Sequence, residues 1–392
     1  MQIAFRSGCR ARVYRISACA AVAVLVAGQA SAQAPAGWNW SVGGLAFVDF
    51  NVQHRTEFGH EEIESQNWMS ATAGRTVHNG SLMLTSVLSL EPFTMKAIGS
   101  PQWFQLGGSY LGGPLADHSH PHDLISGLGA AYSHPIGDAV LHLEGDIVGA
   151  PALGPIGFEN RPTATLNPAI PLSREHLDST DASSGVLLAG LQVHGITVEA
   201  STFRGVGPDD KHLGLDLGHL DSWAARGSFV RGAWTTQLST GLIHQPETFA
   251  PYDVRRTTAS ITFVSAARPI SWMAAWGEDR DRFGILDTYL LDAAVRLPRD
   301  DHVYARAELV ADDFLDAGYH LLHAVEVQQI STIGAFTVGY VRALTRTVGV
   351  GGDVTLYDVP QNLSVNYPSV FSMHVFARLY AHNHSSEARD VR

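Results

Sequence analysis

The chain has 392 residues, a formal net charge of −12 and a mean hydropathy close to zero. An acidic chain of this kind repels nucleic acid and attracts cations, so the composition excludes a nucleic-acid-binding protein. Both cysteines, Cys9 and Cys19, lie near the start of the chain, so the rest has no disulfide framework and no cysteine nucleophile or cysteine metal site.

The first 32 residues have the layout of a secretory signal peptide. Four arginines between Arg6 and Arg15 precede an apolar run at 16–27, and Ala30-Ser31-Ala32 forms an A-x-A cleavage site before Gln33. Removal of these four arginines would take the formal charge from −12 to −16. We therefore predict an exported protein that begins near Gln33.

Segments of about ten residues that alternate between apolar and polar side chains then recur, which is typical of a membrane-spanning β-barrel. In 138–149, Leu143 falls on one face, while His142, Glu144 and Asp146 share the other. Lipid can contact the first face and water the second. The predicted strands are 40–53, 66–77, 80–92, 123–134, 138–149, 183–194, 196–205, 221–231, 233–244, 255–267, 270–279, 285–297, 302–313, 330–345, 347–358 and 370–380.

Short and long connections alternate along the chain. Turns such as 78–80 and 299–301 are tight. The long connections are 54–65, 93–122, 150–182, 206–220 and 245–254. Short turns on one rim and long loops on the other predict an all-β fold, a transmembrane antiparallel β-barrel of about sixteen strands. The predicted domains are a signal peptide at 1–32, the barrel at 33–380 and a polar tail at 381–392. A large secreted β-sandwich or solenoid is the alternative that shares this pattern.

The densest cluster of metal-ligating residue types lies in the second long connection and the residue after it. His118, His120 and His122 alternate along a segment that we expect to be extended, so their side chains would point to one side, and Asp117 and Asp123 flank them. Imidazoles and carboxylates at this spacing suit Zn²⁺, Cu²⁺ or Ni²⁺. The alternative is a polar external loop that hydrogen bonds hold at the barrel mouth.

The third long connection, 150–182, begins with a stiff stretch rich in proline and glycine and continues with charged residues. In porins of about sixteen strands the third long loop often folds into the lumen and narrows it, so by analogy these residues would face a constriction. Arg161, His176 and Asp178, together with Glu91, are the candidate vestibule residues. Solvated charges at the rim are the alternative.

Sequence patterns for catalysis are poor. The chain lacks G-x-S-x-G, H-E-x-x-H and a phosphate-binding glycine loop with lysine. We therefore predict that it is not an enzyme and assign no catalytic and no cofactor-binding residues. A barrel hydrolase would need a serine and a histidine held together on neighbouring strands, and pairs such as Ser372 with His374 stay open, although His374 is most simply a lumen-facing polar residue. A serine or aspartate within hydrogen-bond reach of an in-strand histidine on the lipid face would distinguish such an enzyme.

Several short motifs occur in a fixed order. They include Ser89-Leu90-Glu91-Pro92, His120-Pro121-His122-Asp123, Ala152-Leu153-Gly154-Pro155, Asp178-Ser179-Thr180 and Leu220-Asp221-Ser222-Trp223. Together they resemble a family of uncharacterised exported proteins of Gram-negative bacteria, outer-membrane β-barrels with an HPHD loop that are associated with heavy-metal, especially copper, resistance clusters. The resemblance implies metal contacts at Glu91, His120, His122, Asp123 and Asp178. The family's loop corresponding to 158–181 is richer in histidine, which implies that this chain has lost part of the metal-binding trait.

The sequence therefore predicts a barrel in the Gram-negative outer membrane that lets small solutes or metal ions pass, with an acidic, histidine-bearing external vestibule. The alternatives are a non-conducting barrel that binds metal or a partner at its surface, and a barrel enzyme acting on lipid. The expected partners are outer-membrane lipid, lipopolysaccharide and the barrel-assembly machinery. No cofactor is certain from the sequence, and a divalent copper or zinc ion is the candidate.

Overall fold

A computed structural model describes residues 37–55, 59–178, 183–247, 251–282, 284–312 and 330–385, and the predicted signal peptide lies outside them. The main sheet of the described residues is antiparallel and closes on itself. Its first strand, β1 (Asn39–His54), pairs with β2 (Gly59–Glu64) and β3 (Asn67–Val77) on one side and with β19 (Phe371–Ser385) on the other. Because β2 and β3 pair with successive parts of β1, they occupy one strand position.

The remaining wall strands follow each other around the barrel in chain order. They are β4 (Gly80–Leu88), β7 (Ile125–Ile136), β8 (Ala139–Gly149), β9 (Ser183–Val193), β10 (Ile196–Phe203), β11 (Ser222–Arg231), β12 (Trp234–Ile243), β13 (Val254–Phe263), β14 (Ile270–Arg280), β15 (Ile285–Arg296), β16 (His302–Asp312), β17 (Ser331–Ala343) and β18 (Val348–Asp358). The predicted closed barrel of sixteen strands is confirmed. Closure pairs both edges of the sheet, which is what a sheet surrounded by lipid requires.

The two faces of each strand differ as the alternation predicts. On β8, Leu143 points outward and is 46% exposed. On β16, Val303 and Leu309 are exposed outside, whereas Tyr304 and Glu308 are buried inside. The apolar half of the pattern therefore forms the outer face of the barrel, as expected for a face in lipid, and the polar half lines the lumen.

Tight turns lie on one rim of the barrel. They join β3 to β4, β7 to β8 and each later pair up to β17 and β18. In the turn between β9 and β10, His194 and Gly195 both have positive φ (48° and 83°). Two successive residues with positive φ form a two-residue hairpin turn whose twist matches the twist of the flanking strands. The long connections lie on the opposite rim, as predicted.

Some predicted boundaries are wrong. The connection 54–65 contains β2, and the connection 93–122 contains a hairpin of β5 (Ser100–Tyr110) and β6 (Gly113–Ser119). The strand predicted at 80–92 ends at Leu88, and a one-turn helix, α1 (Glu91–Thr94), follows, since Pro92 cannot donate to a strand ladder. The predicted tail at 381–392 begins later, because residues 381–385 pair with the start of β1.

A second one-turn helix, α2 (Arg174–Leu177), lies between β8 and β9. No helix in the described ranges is long and apolar enough to cross a membrane.

Candidate functional site

The connection between β8 and β9 folds into the lumen, and we call its described part, residues 150–178, loop 3. Four of its leucines are buried against different sectors of the wall. Leu153 packs on β9 to β12, Leu166 on β1, β15 to β17 and β19, Leu172 on β16 and β17, and Leu177 on β14 and β15. Burial of a leucine side chain contributes roughly 1.5–3 kcal/mol. Apolar contacts therefore hold loop 3 across the lumen.

Hydrogen bonds attach loop 3 to the same part of the wall. Thr163 donates to Asp292 of β15 (2.7 Å), and Ser173 donates to Glu308 of β16 (2.7 Å). Wall arginines that donate to loop carbonyls are Arg256 to Asp178, Arg306 to Ala169 and Arg378 to Thr165. Among the described hydrogen bonds of loop 3, none has its partner on β3, β4, β7 or β8.

His176 of α2 is an ionic anchor of loop 3. Its Nδ1 lies 2.9 Å from Asp279 Oδ2 of β14, and its Nε2 lies 3.1 Å from Asp312 Oδ2 of β16. Burial alone would lower the pKa of this imidazole, but the two carboxylates outweigh it and raise the pKa to about 10. The protonated ring therefore joins two wall strands through the loop.

Arg161 and Asp178 form a buried ion pair that closes loop 3 on itself. Asp178 also accepts a hydrogen bond from the Phe158 backbone N–H (3.1 Å), and Arg161 donates to the Ile156 carbonyl (3.2 Å). With His176 and Glu91, these residues complete the predicted vestibule set. All four are buried, so they are not solvated rim charges.

The hairpin of β5 and β6 also lies inside the barrel. The Trp103 backbone N–H donates to Gln53 of β1 (3.1 Å). The ring of Phe104 packs against Tyr357 and Tyr367, with centroids 5.2 and 4.5 Å apart. The hairpin thus fills the lumen beside β1 and β19, next to loop 3.

His122 holds the second long connection to α1. Its Nδ1 lies 2.8 Å from Glu91 Oε2, and its Nε2 lies 3.7 Å from Glu159 Oε1. Burial opposes protonation, but Glu91 and Glu159 raise the pKa of His122 to about 10. Asp123 makes a similar contact, 2.9 Å from Nδ1 of His212. These contacts match the alternative in which hydrogen bonds hold the loop at the mouth.

The other predicted metal ligands have separate surroundings. His118 lies 3.2 Å from the Ala116 carbonyl, and burial lowers its pKa. Burial also lowers the pKa of His120, to about 3, with a contribution from the Arg174 charge. The Asp117 carboxylate accepts hydrogen bonds from the Phe104 N–H and the Tyr367 hydroxyl, while burial raises its pKa to about 6.

The three imidazoles predicted to share a metal ion therefore do not converge. Within the described ranges, no group of three or more histidine or acidic side chains lies close enough to hold a metal ion. Metal binding by His118, His120, His122, Asp117 and Asp123 stays a prediction.

The serine–histidine pair considered for a lipid hydrolase lies in the lumen. Ser372 donates to Gln53, whereas His374 contacts Asp353, so the two are not bonded to each other. On the lipid face, His134 contacts the Tyr132 hydroxyl and His54 contacts the Phe371 ring.

The sector of the wall formed by β3, β4, β7 and β8 differs from the rest. Ser133 Oγ lies 3.0 Å from His142 Nδ1, and His142 Nε2 lies 3.1 Å from Glu144 Oε2. These side chains stay accessible to water, with 28% of His142 and 32% of Glu144 exposed. Asp146 lies against Gly129, where a Cβ would come within 1.6 Å of its carboxylate. Sequence reasoning placed His142, Glu144 and Asp146 on the wet face but not among the site residues.

This sector carries little positive charge. Arg75 is the only arginine or lysine in β3, β4, β7 and β8. Its guanidinium lies over the ring of Trp38, 5.9 Å from the centroid, and its register partner Leu82 belongs to the outward-facing set. The luminal face of the sector is therefore acidic.

No protein-family model matches the chain, and no curated protein is significantly similar to it. Solved structures do resemble it. OmpF of Salmonella typhi, in complex with daunomycin, has a TM-score of 0.55 at 7% identity, over 88% of this chain and 98% of that chain. A loop L8 deletion mutant of OmpT, an outer membrane protein of Vibrio cholerae, has a TM-score of 0.51 at 9% identity, over 88% and 100%.

An anion-selective porin from Comamonas acidovorans is also similar, with a TM-score of 0.50 at 11% identity, over 87% of this chain and 100% of that chain. At these identities the likeness concerns the fold alone. The chain thus has the closed, sixteen-stranded barrel fold that porins have.

Proposed function

We propose that this protein is an outer-membrane porin-like barrel that passes small hydrophilic solutes along the wall formed by β3, β4, β7 and β8. The observation that carries the proposal is the position of loop 3, whose described hydrogen bonds and leucine contacts reach the other strands. The sector without such contacts keeps water-accessible polar side chains. A passage along it needs no displacement of loop 3.

The opposite side of the lumen is nearly filled. Between loop 3 and β16 to β19, a cavity of about 10 Å³ remains, lined by Arg306, Glu308 and His374 among others. Such a space holds no more than about one water molecule. Solutes would therefore pass on the other side, beside Glu144 and His142.

The sector formed by β3, β4, β7 and β8, which we call the open sector, has an acidic luminal face. This charge supports a preference for cations, and the metal ions predicted from the sequence are cations. Glu144 and Asp146 face the lumen there, and no wall lysine or arginine in these four strands faces it. Acidic linings raise the local concentration of cations and lower that of anions. Copper or zinc as the transported ion stays an expectation from the family resemblance.

Current through the protein in a planar bilayer with a KCl gradient tests the proposal. We expect open-channel current with a reversal potential that shows K⁺ to be more permeant than Cl⁻. Adding Cu²⁺ or Zn²⁺ on the loop side tests whether these ions enter or block. Chloride selectivity would contradict the acidic passage.

The matched variants neutralise carboxylates on one hairpin. Glu144→Gln with Asp146→Asn should reduce the K⁺ to Cl⁻ permeability ratio. Asp138→Asn, in the exposed turn of the same hairpin, removes a charge outside the lumen and should leave the ratio unchanged. Equal effects of both variants would show that the selectivity does not arise at the open sector.

A non-conducting barrel is the second candidate function, and the four buried leucines of loop 3 favour it. If loop 3 and the β5–β6 hairpin close the lumen completely, the protein would act through its external loops. Absence of current from folded protein, together with current after deletion of residues 158–172, would support this candidate.

A further inference from the structure

Four ionisable side chains meet on the luminal face where the first and last strands close the barrel. They are Asp49 of β1, Glu64 of β2, Asp353 of β18 and His374 of β19, and each is at most 4% exposed. Asp49 lies directly opposite Glu64 in the strand register, and His374 lies directly opposite Asp353. His374 is also opposite Asn51, two residues from Asp49, so these side chains share one face.

The charges in this cluster do not balance. Three carboxylates face one imidazole, so when all three are ionised a protonated His374 still leaves a net negative charge. The described ion pairs of Asp49 and Asp353 are with His374, and those of the cluster include no arginine or lysine. Buried charges are normally paired or bound to metal because an uncompensated charge in the interior is costly.

The hydrogen bonds leave specific atoms without a donor. Asp353 accepts from the Tyr304 hydroxyl (2.7 Å) and lies 2.9 Å from His374 Nδ1. Glu64 Oε1 accepts from Asn51, Gln66 and Ser100. In contrast, Glu64 Oε2 and both carboxylate oxygens of Asp49 are buried and accept no hydrogen bond from the described residues.

His374 has the geometry of an oriented metal ligand. Asp353 holds its Nδ1, as carboxylates commonly do behind a ligating histidine. Its Nε2 lies 3.8 Å from Asp49 Oδ2, which is too long for a hydrogen bond. Two ligands of a tetrahedral Zn²⁺ are roughly 3.3 Å apart, given metal–ligand distances of about 2.0–2.2 Å. These two atoms need to approach by only about 0.5 Å.

We propose that Asp49, Glu64 and His374 bind one divalent transition-metal ion, with Asp353 as the positioning residue behind His374. One imidazole and two carboxylates suit ions such as Zn²⁺. No three ligating side chains of the described chain are close enough to hold a metal ion in this structure, so binding requires Asp49 and Glu64 to move toward His374. The site joins β1, β2 and β19, and an ion bound there stabilises the closed barrel by mass action. This proposal does not depend on conduction.

Zinc binding to the refolded, detergent-solubilised barrel tests the site. All variants carry His118→Ala, His120→Ala and His122→Ala, so the imidazoles of the external loop cannot contribute. Protein refolded with a chelator, and then dialysed, is titrated with Zn²⁺ by calorimetry, and its thermal unfolding is followed with and without zinc. We expect one zinc ion per chain and a higher unfolding temperature with zinc.

Asp49→Asn keeps the shape of the side chain and should lower zinc affinity at least tenfold. Glu64→Gln is a second variant for the case in which Asp49→Asn does not fold. His134→Gln, at an in-strand histidine on the outer face, is the matched control and should bind zinc as its parent does. In Co²⁺-loaded protein, the visible absorption band should disappear with Asp49→Asn and persist with His134→Gln.

Two results would overturn the proposal. One is zinc affinity that is equal in Asp49→Asn and its parent. The other is a parent protein that binds no zinc and unfolds at the same temperature with and without it, which would mean that the carboxylates share protons instead.

Discussion

His176 Nδ1 lies 2.9 Å from Asp279 Oδ2, so a histidine of loop 3 is bound to a carboxylate of the barrel wall 103 residues further along the chain. Arg256 Nη2 also contacts Asp279 Oδ2 (2.6 Å), so removing the imidazole takes away one of the partners of this carboxylate. A hydrogen bond to a charged group typically contributes roughly 1.5–3 kcal/mol. We expect His176→Gln to lower the free energy of unfolding by about that amount in urea titrations. His142→Gln, at a luminal position that is 28% exposed, should change it much less.

The same contact makes loop 3 sensitive to high pH. The pKa of His176 is raised from an unfolded value near 6.5 to about 10, so its contribution is complete below about pH 6.5 and is lost as pH rises through about 10. The protection factors of loop 3 amides against hydrogen exchange, which correct for the intrinsic rise of the exchange rate with pH, should therefore fall between about pH 8 and 11. His176→Gln should remove this pH dependence, and an unchanged profile would contradict it.

Arginine substitutions test the orientation of the strands. Leu143→Arg or Ala305→Arg places a charge on the lipid face and should destabilise the barrel by roughly 2–4 kcal/mol near the bilayer midplane. Glu144→Arg places the same side chain in the lumen and should cost much less. Equilibrium refolding into lipid vesicles measures both, and equal costs would show the register to be displaced by one residue.

The external histidines give a further prediction. Because the pKa of His120 is lowered to about 3, its ring is neutral at pH 7 and can bind metal, whereas His122 is protonated up to about pH 10. Binding of Zn²⁺ or Cu²⁺ to this loop therefore has to displace His122 from Glu91. Calorimetry should show that the heat of metal binding to this loop is present in the wild type and lost in the double variant His120→Ala with His122→Ala. Indistinguishable heats would leave hydrogen bonding as the loop's role.

Location is tested by cell fractionation. We expect the mature chain in the outer membrane and a folded form that migrates differently on gels before and after heating, because only a closed barrel satisfies the backbone of such strands in lipid. Recovery as a freely soluble periplasmic protein would contradict the proposed location.

The sequence by itself determined the wall of the barrel. Alternation with a period of two placed Leu143 outside and Glu144 inside, and each of the sixteen predicted strands corresponds to a wall strand. This prediction succeeds because a surrounding lipid requires an apolar side chain at every second position of each strand, whatever the neighbouring strands are. A segment of about ten residues is therefore enough to predict a wall strand.

Only the tertiary structure decided what fills the lumen. The β5–β6 hairpin lies inside the barrel and has no outer face, and Ile63 is the one large apolar residue of β2. The alternation that predicts the wall strands is therefore missing from both. The partners of the interior are far apart in the chain: His176 meets Asp312, and Asp49 meets His374. The local spacing of residues in the sequence does not predict such pairs. Closing the barrel between β1 and β19 brings them together, and burial then sets which of their charges must be balanced.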